Sequence, residues 1–315
     1  MQWQPDGDQQ SRLARAEMLR DIREFFYQRQ VLEVETPALS QAANTDPYID
    51  SFALVTNQTR YLHTSPEYAM KRLLASGSGD IYQICKVWRA EPSAKHHNAE
   101  FTMLEFYRLD YNMQTLMTEV DELLSQLLPS LKKHSNFHTY ASLFLDKLGF
   151  NPHTIAEDTL KACVDKYVPE FRGELDHQGC LDLLLTHCIE PKLPNDRISF
   201  IYDYPATQSA LAKTEQVADY NVAKRFEVYV GNLELGNGYQ ELTSYEDNAA
   251  VLENESSVRQ QMNHEAVPID QRFLSAIQAG LPECAGIAIG LDRLLMLKTD
   301  ADTIKKVLNF SWENA

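Results

Sequence analysis

Gly286-Ile287-Ala288-Ile289-Gly290-Leu291-Asp292-Arg293-Leu294-Leu295-Met296-Leu297 reads as a glycine-rich strand running into a helix that bears an arginine near its first turn. Glycine in a strand lets another backbone or a ligand approach closely, and an arginine at a helix start suits a terminal phosphate. The spacing is that of neither a dinucleotide fingerprint nor a P-loop, so both of those folds are disfavoured. Upstream, residues 225–230 and 233–242 form a predicted hairpin with Gly231-Asn232 as its turn, and helices are predicted over 244–263 and 269–280. Further strands are predicted at 51–55, 60–62, 81–87, 101–111 and 198–204, with helices over 66–75 and 114–131. Leu13, Ala16, Leu19, Ile22 and Phe26 mark the apolar face of an N-terminal helix with Ser11 as its N-cap, followed by a strand over 31–36 that Pro37 stops. Antiparallel strands with helices inserted between them indicate an α+β fold. Residues 1–10 are polar and expected to fray, which leaves 11–315 as one domain. Within it, residues of about 135–193 form a proline-punctuated helical insertion without evident chemistry.

Composition narrows the function classes. The 315 residues are 44% apolar and 23% charged, an ordinary globular mix that excludes collagen-like and disordered chains. Lys and Arg number 29 against 45 Asp and Glu, and the resulting net charge of −16 opposes diffuse attachment to nucleic acid or anionic lipid. The most apolar stretch, 286–297, is interrupted by Asp292 and Arg293, and the N-terminus has no apolar signal region. A cytoplasmic location without membrane attachment is therefore expected. The five cysteines (Cys85, Cys163, Cys180, Cys188, Cys284) form no C-x-x-C pair, so buried thiols are expected, not a disulfide framework or zinc cage.

Two further constellations carry possible chemistry. In Arg89-Ala90-Glu91, followed by His96-His97-Asn98 and the run from Glu100 to Tyr107, antiparallel flanks would bring an arginine and an aromatic ring onto one ligand. Arg89 would then grip a phosphate while Phe101 stacks on a base. A charged hairpin loop with solvated histidines is the alternative. In Glu234-Leu235-Gly236-Asn237-Gly238-Tyr239-Gln240-Glu241, strict alternation would point the two glutamates to opposite faces, but a bulge at Gly-x-Gly would restore convergence. Two such carboxylates can hold Mg²⁺ against a polyphosphate or bind an ammonium. A solvated edge strand is the alternative.

Taken in this order, with Glu35-Thr36-Pro37 near the N-terminus, the motifs resemble a class II aminoacyl-tRNA synthetase catalytic core, an antiparallel sheet flanked by helices. ETP is similar to motif 1, RAE…HHNAEFTMLEFY to motif 2 and GIAIGLDRLLML to motif 3. HTSPE, EFTMLEFY and ELGNGYQEL resemble the lysyl pocket. The core helix begins about ten residues in, leaving no room for an anticodon-reading OB-fold, and GIAIG stands where lysyl synthetases usually have GxGIG. Both features resemble the elongation factor P (R)-β-lysine ligases.

That resemblance implies activation of (R)-β-lysine by ATP and Mg²⁺ and its transfer to a lysine of elongation factor P, by a homodimer that binds no tRNA stably. It leaves two alternatives: a truncated enzyme activating α-lysine for another acceptor, or a non-catalytic paralogue. It implies Arg89 on the α-phosphate and Arg293 on the γ-phosphate, with Ala90, Glu91, Asn98, Leu235 and Gly290 near the nucleotide and Phe101 stacked on adenine. Glu234 and Glu241 become metal candidates. Ser65, Pro66 and Glu67 would lie near the substrate's backbone amine, with Ala288 shaping that end, and Tyr107, Asn237, Tyr239 and Glu241 would surround its far amine. Motif 2 in close relatives usually reads RNE, so Ala90 could contact a ligand only through its backbone.

Overall fold

The apolar stripe near the N-terminus forms α1 (Gln9–Gln28), which buries Met18, Ile22, Phe25 and Phe26. Its N-cap is Asp8 and not the expected Ser11: the Asp8 carboxylate accepts the Ser11 N–H at 2.7 Å and also meets the positive end of the helix dipole. The computed structural model describes residues 3–315, so residues 1 and 2 of the stretch expected to fray lie outside the described residues. The rest of that stretch departs from expectation. Asp6 and Gly7 donate backbone hydrogen bonds to Asn309 and Leu308, both at 2.8 Å, which ties the chain start to the C-terminal segment.

The main sheet runs, in spatial order, β1 (Leu32–Glu33), β5 (Ile81–Trp88), β6 (Glu100–Leu109), β12 (Cys284–Gly290), β11 (Leu233–Gln240), β10 (Tyr220–Val230), β8 (Ile198–Pro205) and β7 (Asn136–Thr139), and β9 (Thr214–Val217) pairs with β10. The pairs from β5 through β8 are antiparallel; the two outermost pairs, β1 with β5 and β7 with β8, are parallel. This is the α+β core expected from the sequence. The strand predicted over 31–36 shrinks to the two residues of β1 before Pro37. A small second sheet joins β2 (Leu39–Ser40), β4 (Thr59–Leu62) and β3 (Ala53–Val55).

Leu104, Phe106, Phe226, Val228, Ile287 and Ile289 bury one sheet face against α1, α3 (Met113–Leu127) and α9 (Leu291–Thr299). Glycine here serves packing as well as turning. Gly231 takes φ +58° in the hairpin, and a Cβ on Gly238 would lie 2.5 Å from the Phe226 ring. The opposite face of the central strands carries the polar residues. It is flanked by α2 (Glu67–Ala75), which packs with α8 (Gln271–Gly280), and by α7 (Tyr245–Gln261).

The segment predicted as a helical insertion opens with a strand, β7, and only then forms α4 (Tyr140–Leu148), α5 (Glu157–Tyr167), α6 (His177–Leu184) and a π-helical turn at Leu185–Ile189. Its apolar side chains form a cluster of their own on Ile201, Tyr204, Ala223 and Tyr229 of the outer strands. All five cysteines are free.

Candidate active site

Strand register builds the floor of the site. Glu105, Ala288 and Asn237 lie opposite one another on β6, β12 and β11, and Tyr107, Gly286 and Tyr239 form the next row. Residues directly opposite across a sheet share a face, so β12 lays a column of small residues, Gly286, Ala288 and Gly290, down the middle. A Cβ on Gly286 would stand 2.4 Å from the Tyr107 ring and 2.9 Å from Glu241 Oε1, which reserves that spot for glycine. Over this column lies a cavity of about 480 Å³, ample for a nucleotide-sized ligand.

The bulge expected in β11 exists, one step earlier than the glycines suggested. Val228 pairs with Gly236 and Tyr229 with Glu234, so Leu235 is the extra residue. Alternation is thereby reset, and Glu234, Asn237, Tyr239 and Glu241 all line the cavity. So do Ser65, Glu67, Arg89, Glu91, Asn98, Phe101, Tyr107, Leu235, Ala288, Gly290 and Arg293. Two nominated residues do not. Pro66 caps α2 and faces a neighbouring pocket, and the Ala90 N–H donates to Asp50 O at 2.9 Å, which removes the backbone donor expected there.

At one end the groups suit phosphates. The Arg89 guanidinium lies 5.3 Å from the centre of the Phe101 ring, and its Nε is buried with no partner among the described residues. Such an orphaned donor calls for an oxyanion. Arg293 donates to Glu234 O at 2.8 Å and His96 O at 3.3 Å, and its other nitrogen lies 2.9 Å from His97 Nε2. Burial and then the Arg293 charge hold His97 below its ordinary pKa, so the imidazole is neutral and accepts. Asp292, buried next to Arg293, fixes the start of α9 by accepting Thr102 N–H at 2.6 Å and pairing with Arg15 of α1. The Asn98 amide donates to Glu100 O at 2.6 Å and accepts Trp312 N–H at 2.9 Å, so the side chain braces the loop at the edge of the cavity.

Carboxylates crowd the other end. Glu105 accepts from Ser65 Oγ at 2.6 Å and from the Tyr107 hydroxyl at 2.7 Å. Burial, then the Glu67 carboxylate, push it up to about 8. Glu241, nominated for the substrate's far amine or for metal, already has a partner: Lys71 Nζ lies 2.5 Å from it and 2.6 Å from Glu67. Between the two ends, Arg225 donates to Asn237 Oδ1 at 3.2 Å and Asn237 in turn to the Tyr239 hydroxyl at 3.1 Å. Behind them, Glu227 accepts from Tyr204 at 2.6 Å and pairs with Arg225 at 2.5 Å.

Sequence reading missed Glu105, Lys71 and Arg225. Glu105 and Tyr107 are two apart on one strand and Lys71 is four from Glu67 on one helix, spacings that put each pair on a common face. Arg225 joins the site by pairing with Tyr239 across the predicted hairpin, a placement that the Gly231-Asn232 turn could have signalled.

No three His, Cys, Asp or Glu side chains cluster in a metal-binding arrangement among the described residues. Glu234 nonetheless fits one kind of metal. Its side chain is 40% exposed in the cavity and 3.5 Å from Arg293, and a lone carboxylate next to a phosphate site suits Mg²⁺ held chiefly by phosphates and water. Glu241, sealed and paired with Lys71, does not suit that role.

The family model of class II tRNA synthetases (D, K and N) matches residues 5–314. A protein of Pectobacterium carotovorum named elongation factor P (R)-beta-lysine ligase is 41% identical over 325 residues, spanning 99% of this chain and 98% of its own length. Proteins of the same name from Haemophilus ducreyi and Pseudoalteromonas translucida are 40% and 41% identical, over 99% and 98% of this chain and 97% of each of theirs.

Proposed function

The chain belongs to the class II tRNA synthetases (D, K and N), and from that premise we propose that it is an ATP-dependent ligase joining (R)-β-lysine to a lysine of elongation factor P. One observation carries the reading: a carboxylate-lined amine pocket and a two-arginine phosphate site stand at the ends of one floor of small residues. A substrate lying on β12 would place its ammonium groups at the acidic end and its carboxylate toward Arg89. That carboxylate attacks the α-phosphorus of ATP and pyrophosphate leaves; the acceptor's ε-amine then attacks the acyl carbonyl and AMP leaves. Arg89 stabilises the charge that builds on the α-phosphate, and Arg293 holds the γ-phosphate. Mg²⁺ would neutralise charge on the polyphosphate, with Glu234 as its protein ligand. Lysine-dependent pyrophosphate exchange tests this first step. Exchange above background is expected with a lysine isomer, and background rates with both (R)-β-lysine and α-lysine would contradict it.

Glu105 sets a pH dependence. A carboxyl at about 8 is mostly protonated at neutral pH, whereas an ammonium binds its ionised form. Binding the substrate must therefore release a proton. Below about pH 8 the KM for the lysine isomer should fall as pH rises, by about tenfold per unit, and level off above it. A KM that stays flat between pH 6 and 8 would remove Glu105 from the ammonium site.

The methyl of Ala288 stands between Glu105 and Asn237 in the first row of the floor. It narrows the space beside the substrate's backbone amine and favours a β-amino acid, whose amine is shifted by one carbon. Ala288→Gly should raise kcat/KM for α-lysine relative to (R)-β-lysine; an unchanged ratio would remove this explanation.

Leu13 and Tyr27 of α1, with Leu32 of β1 and Leu54 and Val55 of β3, leave large apolar side chains exposed. Such exposed apolar side chains in the N-terminal part of the chain support the expected homodimer. No helix among the described residues is long and apolar enough to cross a membrane, and a ligase acting on a translation factor would work in the cytoplasm.

A further inference from the structure

Lys71 has no role in the chemistry above, yet its side chain is 0% exposed and its ammonium sits between two carboxylates, 2.6 Å from Glu67 and 2.5 Å from Glu241. Glu67 starts α2 and Glu241 follows β11, so one cation joins the helix wall of the pocket to the end of its floor. The ionisable groups facing it are Glu67 and Tyr68 from α2, Glu241, and Cys284 from β12, while Glu105 and Tyr107 from β6 face Glu67 and Glu241. Burial alone would strip its proton, but Glu241 and Glu67 outweigh that and hold the ammonium above the ordinary lysine range. Two carboxylates brought this close repel each other, and the ammonium between them offsets that repulsion.

We propose that Lys71 is the resident counter-ion of the amine pocket, bridging Glu67 and Glu241 and holding both in place so that the pocket's remaining acidity fits a substrate with two ammonium groups. With all three ionised, Glu67, Glu105 and Glu241 share the cavity with this one ammonium, and the excess of two matches the backbone and far amines of a lysine isomer. Lys71 is a positioning residue and takes no part in bond making. Its removal should impair recognition of the diamine while leaving the ATP end, on the far side of the floor, unaffected. This rests on the reading of the cavity as a lysine-isomer site.

The test is pyrophosphate exchange by the full chain, wild type and Lys71→Met, with folding followed by circular dichroism. The variant should raise the KM for the lysine isomer on the order of 100-fold, while kcat and the KM for ATP each change by less than about threefold. Lys71→Ala, which leaves space at the two carboxylates, should regain part of the lost affinity when propylammonium is added. An unchanged lysine KM overturns the proposal, and so does a fall in kcat with an equal loss of ATP affinity. Failure of both variants to fold, unrelieved by propylammonium, would make Lys71 a structural ion only and also overturn it. Wild-type enzyme inactive with either isomer would instead defeat the reading of the cavity.

Discussion

Arg293→Ala is expected to lower lysine-dependent pyrophosphate exchange on the order of 10²- to 10³-fold, the usual cost of removing a preorganised donor from charge that builds in the transition state. Three contacts position this guanidinium in advance, at Glu234 O, His96 O and His97 Nε2, so it joins α9, β11 and the loop after β5 at the phosphate end of the cavity. None of these contacts supports the apolar core, and the neighbouring Asp292 carries the structural pairing with Arg15 and Thr102. The variant should therefore keep wild-type thermal stability and elution volume in gel filtration. Loss of exchange together with loss of the fold would point to a structural arginine. Near-wild-type exchange would place the γ-phosphate elsewhere.

Norleucine, which keeps the α-lysine chain and lacks its far amine, is expected to support exchange on the order of 10⁴-fold less well than α-lysine in kcat/KM. A site built to pair with a polar group rejects the analogue that lacks it, because the site's own buried groups are left unpaired. Here those groups are Tyr239 and Glu241, the latter held by Lys71. An apolar chain end would desolvate them without replacing the lost interaction. The contact geometry makes Glu105→Gln the more damaging substitution for ammonium binding, since Glu241 already has an ammonium beside it. Norleucine activated within about tenfold of α-lysine would show that Tyr239 and Glu241 do not face the far amine, because an apolar pocket alone discriminates only that weakly.

The architecture was legible because local signals agreed with one another. The apolar stripe of α1, the Gly231-Asn232 turn and the strand-to-helix unit around Gly290 each follow from neighbouring residues, and each appears near its predicted place. Boundaries suffered where tertiary contacts decide. The Asp8 cap overrides Ser11, β1 ends early, and β7 forms only because β8 offers it an edge.

The site divides in the same way. The nominated strand residues line the cavity because strand alternation, corrected by one bulge, places them there, and that logic needs only sequence spacing. The contacts of Ala90 and Asn98 with Asp50 and Trp312, distant in sequence, carried no local signal. The competition between Lys71 and the substrate for Glu241 is likewise invisible until α2 is docked against β11.

The most direct test of the proposed function is intact-mass analysis of elongation factor P after incubation with the enzyme, ATP, Mg²⁺ and (R)-β-lysine. The expected result is a mass increase of one lysyl residue, dependent on ATP and absent with the Arg293→Ala enzyme. An unmodified mass under conditions where pyrophosphate exchange proceeds would contradict it, leaving an adenylate-forming enzyme with a different acceptor.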